Sequence, residues 1–164
     1  MSTTSEEEQY LAQALSLASA NVHNSGGPFG AVIVTPDGRV FEGVNRVTAN
    51  NDPTAHAEVM AIREACRSIG SFDLSGAVLY TSCEPCPMCL SSALWARVKH
   101  VVYAADRHDA ARAGFDDAVF YEYFSTPIEE RSMPVRQHRL SPSAGIGENA
   151  PFEAWSALAA RVDY

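Results

Sequence analysis

Ala77-Val78-Leu79-Tyr80-Thr81-Ser82-Cys83-Glu84-Pro85-Cys86-Pro87-Met88-Cys89 carries the chain from a strand into a helix around a pair of thiols. Ala77 to Thr81 is a short apolar run with the length and residue types of a buried strand. Ser82-Cys83-Glu84-Pro85 ends it, and the pattern from about Cys86 to Arg97 is helical. Upstream, Asp52-Pro53-Thr54 closes a turn, and a second helix is expected from there to about Arg67. His56-Ala57-Glu58 lies in its first turn. One imidazole (His56) and two thiolates (Cys86 and Cys89) can hold one zinc ion per chain. Three protein donors leave the fourth position open for water, as a hydrolytic centre requires, whereas a structural site closes all four. Glu58 follows the histidine by two residues, close enough to handle that water's protons without being a ligand. Either half alone is a weak signal; together they are specific.

The elements on either side give the architecture. Ser5 and Glu8 read as a capping box, and Leu11, Ala14, Leu15, Ala18 and Val22 form one helical face up to the break at Asn24-Ser25-Gly26-Gly27-Pro28. Ala31–Thr35, Pro36-Asp37-Gly38 and Arg39–Val44 read as a hairpin. In the second helix, Val59, Ile62 and Cys66 mark the buried side. His100–Ala105 is another strand, Asp106–Arg131 holds short helical turns, and Pro134–Leu140 fits a last strand. Phe152, Trp155, Leu158, Ala159 and Val162 mark a terminal helix that starts at Pro151, a favourable first helical residue. This order predicts an α/β fold, a three-layer α/β/α sandwich around a single mixed sheet of about five strands, in one domain spanning 1–164. Both metal-binding segments then sit at helix N-termini, where the dipole favours thiolates.

Composition agrees with a compact enzyme. The chain has 164 residues with 20 acidic against 12 basic side chains, a net charge of −8, which disfavours a phosphate-backbone partner. The N-terminus lacks a signal-peptide pattern and no apolar run spans a bilayer, so no membrane partner is expected. Three of four cysteines cluster at 83, 86 and 89, which favours metal binding in a reducing, cytoplasmic setting over disulfides. Cys83 reads as a loop thiol supporting the turn, since a fourth ligand would close the zinc. Cys66 reads as core. His23, His100, His108 and His138 have no partner pattern, and Arg131, Arg136 and Arg139 read as a solvated edge.

The H-x-E…P-C-x-x-C pattern is that of zinc deaminases. More of the chain resembles bacterial guanine deaminases, a branch of the cytidine-deaminase-like superfamily. The likeness is carried by Gly26-Gly27-Pro28-Phe29-Gly30-Ala31-Val32, by Asn50-Asn51-Asp52-Pro53-Thr54-Ala55-His56-Ala57-Glu58, by Tyr80 to Cys89, by Trp95-Ala96-Arg97 and by Ala113-Gly114-Phe115-Asp116-Asp117. The resemblance implies zinc on His56, Cys86 and Cys89 with Glu58 as proton shuttle. It also implies Asn45 and Asp117 hydrogen-bonded to a purine and Phe29 packed on its ring. Asn45 also fits a strand-end turn, and Phe29 also fits a core position. The resemblance further implies a homodimer whose C-terminal segment, 151–164, crosses to the partner, with Trp95 and Tyr164 as pocket or lid residues. Ser141 to Ala150 departs from the shorter form of the family, which bears on the geometry of that lid.

Hydrolytic deamination of guanine to xanthine and ammonia is the function this resemblance implies. Guanosine deamination is a close alternative. A tRNA adenosine deaminase shares the zinc pattern, but calls for a basic face. A non-catalytic zinc-stabilised module needs neither Glu58 nor an open metal position.

Overall fold

A computed structural model describes residues 4–164. These fall into two compact units, one ending at Tyr121 and the other spanning Glu122–Tyr164. The first begins with α1 (Thr4–Val22), then β1 (Gly30–Val34) and β2 (Val40–Val44), the short α2 (Val47–Asn50), α3 (Ala57–Ile69) and β3 (Val78–Cys83). It continues through α4 (Pro87–Trp95), β4 (His100–Ala105), α5 (Arg107–Arg112) and the start of α6 (Ala118–Ser125).

The sheet has four strands in the order β2-β1-β3-β4, with β3 and β4 parallel and the other two pairs antiparallel. Ala31, Val32 and Ile33 are buried on both faces, as expected of a strand covered by helices on each side. Side chains alternate between the layers. Ala31, Ile33 and Leu79 pack with Ala57, Ala61 and Ala65 of α3 and Ala93 of α4. Val32 and Tyr80 face Ala14 of α1, and the Tyr80 ring lies 5.1 Å from that of Tyr10. Burying each large apolar side chain contributes about 1.5–3 kcal/mol, so the middle pair of strands anchors both layers.

Two glycines set how closely helices approach the sheet. A Cβ at Gly30 would stand 2.4 Å from the Ala14 carbonyl oxygen, and one at Gly43 would stand 2.3 Å from Ala57 O and from Ala61 N. Any larger residue at 43 would therefore push away the helix that begins at Ala57.

The sandwich and mixed sheet match the expectation from sequence, with four strands instead of about five. Pro134–Leu140 forms no strand; its apolar residues flank Arg136, Gln137, His138 and Arg139, a run without the alternation that buries one strand face. Ser5 lies inside α1, which already includes Thr4, so it is not the helix cap. Ala14 and Ala18 are buried as predicted, but Leu15 and Val22 are exposed. On α3 the deepest positions are Ala57, Glu58, Val59, Ala61 and Ala65, with Ile62 and Cys66 only partly buried.

Within the second unit, a 3-10 turn at Ile128–Glu130 follows α6. The Tyr123 hydroxyl donates to Met133 O at 3.0 Å, and the Arg131 guanidinium lies over the Tyr123 ring. The last helix, α7, spans Ala150–Ala157 and stops short of Val162. Among the large apolar side chains of this unit, Phe124, Met133, Ile146, Phe152 and Val162 are each more than half exposed.

Candidate active site

His56 and Cys86 occupy the same structural position on two helices. Each is an N-cap residue with extended backbone, at φ −69° and ψ 155° for His56 and φ −66° and ψ 167° for Cys86. An N-cap side chain usually accepts a hydrogen bond from the first turn, worth about 0.5–2 kcal/mol. Neither side chain caps its helix here. They turn toward each other instead. Pro87 at the first position of α4 starts the helix with its φ already set, and Cys89 follows one turn on, facing the same way as the N-cap.

His56 Nδ1 lies 3.7 Å from Cys86 Sγ and 3.4 Å from Cys89 Sγ, and the two sulfurs are 3.7 Å apart. Tetrahedral zinc with bonds of about 2.3 Å to sulfur and about 2.0–2.1 Å to nitrogen separates its ligand atoms by about 3.6–3.8 Å. The triangle therefore fits zinc in both donor chemistry and size. Among the described residues this is the one cluster of potential ligands found. All four cysteines are free thiols. Hydrogen bonding with Cys89 and His56 holds the Cys86 thiol down at about 4, against the cost of burial. His56 is raised above its usual range, chiefly by its bond with Cys86. Two helix N-termini add to the preference for thiolate, and metal binding displaces the shared protons.

Glu58 sits beside this cluster, 6% exposed. Its Oε2 accepts from Cys89 Sγ at 3.4 Å and its Oε1 from the Thr81 hydroxyl at 3.2 Å. Burial pushes its carboxyl above the usual range. Cys83 lies outside the ligand cluster; its Sγ donates to Asp106 O at 3.6 Å, and burial raises its thiol to about 11.

His56, Glu58 and Cys86 line a cavity of about 220 Å³, together with Phe29, Asn45 and Asp117. Asn45 Oδ1 accepts long hydrogen bonds from the backbone N–H groups of Gly27 (3.4 Å) and Val47 (3.3 Å), so Nδ2 is the amide's available donor. Asp117 is raised above the usual carboxylate range, first by burial and then by Cys86. Phe29 meets Phe115 edge-on at 5.0 Å, forming an apolar wall.

Trp95, expected by resemblance as a pocket or lid residue, lies outside the cavity of its own chain. It ends α4, 69% exposed, and is not among the residues lining this cavity. Tyr164 belongs to the second unit, 6.4 Å from the Trp155 ring. The sequence reading passed over Thr81, Glu84 and Arg107. Glu84 and Arg107 line the cavity, and Glu84 Oε2 accepts from the Arg107 backbone N–H at 3.0 Å. Glu84 stood inside the quoted Cys-Glu-Pro-Cys segment; Arg107 carried no local signal.

Residues 4–105 match the family model of the cytidine and deoxycytidylate deaminase zinc-binding region. The chain belongs to this zinc-dependent deaminase family. The deaminase is 49% identical to the guanine deaminase of Bacillus subtilis over 96% of its own length and 98% of the relative's. The solved structure of that protein gives a TM-score of 0.87 over the same shares of the two chains. A guanine deaminase structure from Nitrosomonas europaea gives 0.64 at 32% identity, covering 71% of this chain and 66% of that one. A tRNA-specific adenosine deaminase of Buchnera aphidicola is 30% identical over 82% of this chain and 86% of its own.

Proposed function

We propose that this deaminase converts guanine and water to xanthine and ammonia. The observation that carries the reading is that two members of the three-ligand cluster, His56 and Cys86, line one cavity together with Glu58, Asn45 and Asp117. Identity to a guanine deaminase over 96% of the chain supports it. At about 220 Å³ the cavity is smaller than the roughly 300–1,000 Å³ typical of drug-sized ligands, which suits a free base better than a nucleoside.

His56 Nδ1 and the Cys86 and Cys89 thiolates hold zinc, which supplies the Lewis acidity that makes water a nucleophile at neutral pH. Glu58 takes a proton from the attacking water and passes it to a ring nitrogen as the oxygen bonds to the amine-bearing carbon. It then carries the remaining hydroxyl proton to the amine, so ammonia leaves and a carbonyl stays. Asn45 Nδ2 donates to an acceptor on the purine edge, Asp117 accepts from its N–H groups, and Phe29 packs on the ring face.

A panel of guanine, guanosine, adenine, cytosine and a tRNA anticodon stem, assayed for ammonia release, tests the substrate. Guanine should be the preferred substrate, and turnover of another member with guanine inert would end the reading. Asn45→Ala and Asp117→Ala each leave a polar group of the bound base unpaired. That costs about 1–3 kcal/mol, or roughly 5- to 150-fold in kcat/KM, with zinc content expected to stay the same. Wild-type kinetics in both would mean the purine is read elsewhere.

We further propose a cytoplasmic homodimer in which residues 151–164 dock on the partner and Tyr164 closes over its cavity. The exposed apolar side chains of Glu122–Tyr164 support this, as does the need for reduced thiols at the metal site. Among the described residues no helix is long and apolar enough to cross a membrane. Deleting Asp163 and Tyr164 should lower kcat/KM for guanine, because a lid excludes water and holds the substrate. Mixing the truncated chain with full-length Glu58→Gln should restore activity in heterodimers. Subunit exchange without rescue would contradict docking across the dimer.

A further inference from the structure

We propose that Thr81 is a positioning residue: its hydroxyl ties down one oxygen of Glu58 so that the other is presented for proton transfer. This rests on Glu58 being the proton carrier. Thr81 lies on β3, 1% exposed, in a strand paired on both sides. Like Leu79 two residues earlier, it points to the α3 side of the sheet. Its branched side chain has few rotamers, so the hydroxyl is held in place by a buried strand paired on both sides. A glutamate's terminal torsion is soft by comparison, and burial alone does not fix which oxygen faces the substrate.

Oγ1 donates to Glu58 Oε1 at 3.2 Å, while Oε2 accepts from Cys89 Sγ at 3.4 Å. Oε2 is therefore the oxygen on the side of the ligand cluster, and Oε1 is the one tied to Thr81. The threonine has one proton and a second acceptor within reach, Cys83 O at 3.1 Å. Nothing in the spacing of residues 58 and 81 signals this pair; it exists only because α3 packs across β3.

Thr81→Val keeps the branched shape without the hydroxyl, and Thr81→Ser keeps the hydroxyl. Steady-state kinetics on guanine should show kcat for Thr81→Val lowered about 10- to 100-fold with KM within about 3-fold. Thr81→Ser should stay within about 3-fold of wild type, and both should keep wild-type zinc content. In a Glu58→Gln background, adding Thr81→Val should change the residual rate by less than about 2-fold, because the group it positions is already disabled. Equal losses in both backgrounds, a Thr81→Ser as impaired as Thr81→Val, or an unimpaired Thr81→Val beside a crippled Glu58→Gln would each overturn the inference. So would a Thr81→Val protein that unfolds or loses zinc, since the hydroxyl would then support the fold. Full activity in Glu58→Gln alone would instead remove the proton-carrier reading beneath it.

Discussion

Glu58→Gln is expected to lower kcat for guanine by about 10²–10⁴-fold, the range associated with positioned acid–base groups. The amide keeps the size and most of the contacts of the carboxylate. It can still accept from Thr81 at the oxygen, as Glu58 does at 3.2 Å. It cannot carry a proton from water to a ring nitrogen and on to a leaving amine. Glu58 is not among the three ligand-forming atoms, so zinc measured by elemental analysis should stay at one per chain. KM should change little, because the loss falls on the transition state. A variant that lost its zinc in proportion to its activity would show that Glu58 serves the metal and not the proton.

Cys86→Ala should lose zinc and activity together. Cys86 supplies one edge of the ligand triangle to each of its neighbours, 3.7 Å to His56 Nδ1 and 3.7 Å to Cys89 Sγ. Removing it leaves two donors, too few for a tetrahedral site with a single open position. Without the metal nothing lowers the pKa of the attacking water, and guanine turnover should fall to background. The melting temperature should fall too, because ligation to the folded state contributes to its stability. Cys89→Ala should behave alike. A Cys86→Ala protein that retained zinc and turnover would mean another residue completes the set.

The ligand cluster was legible because its chemistry is local. His56 and Glu58 share one turn, Cys86 and Cys89 share another, and prolines at 53, 85 and 87 mark where both helices begin. Strand–helix alternation then requires only that the two turns open on one edge of the sheet. The central strands were legible for a similar reason, since Ala31–Val34 and Val78–Tyr80 are continuous apolar runs. What escaped depends on packing across the chain. Thr81 meets Glu58 from 23 residues away, and Gly43 matters because α3 lies directly on it. Pro134–Leu140 misled because its apolar ends resembled a strand, while its charged middle leaves no face to bury.

Titrating zinc into metal-free protein while measuring ammonia release from guanine tests the central claim most directly. The account predicts no turnover without metal, a rise in proportion to added zinc, and a plateau at one zinc per chain. Full turnover of guanine by a rigorously metal-free preparation, or a zinc-saturated protein that releases no ammonia from guanine, would contradict it.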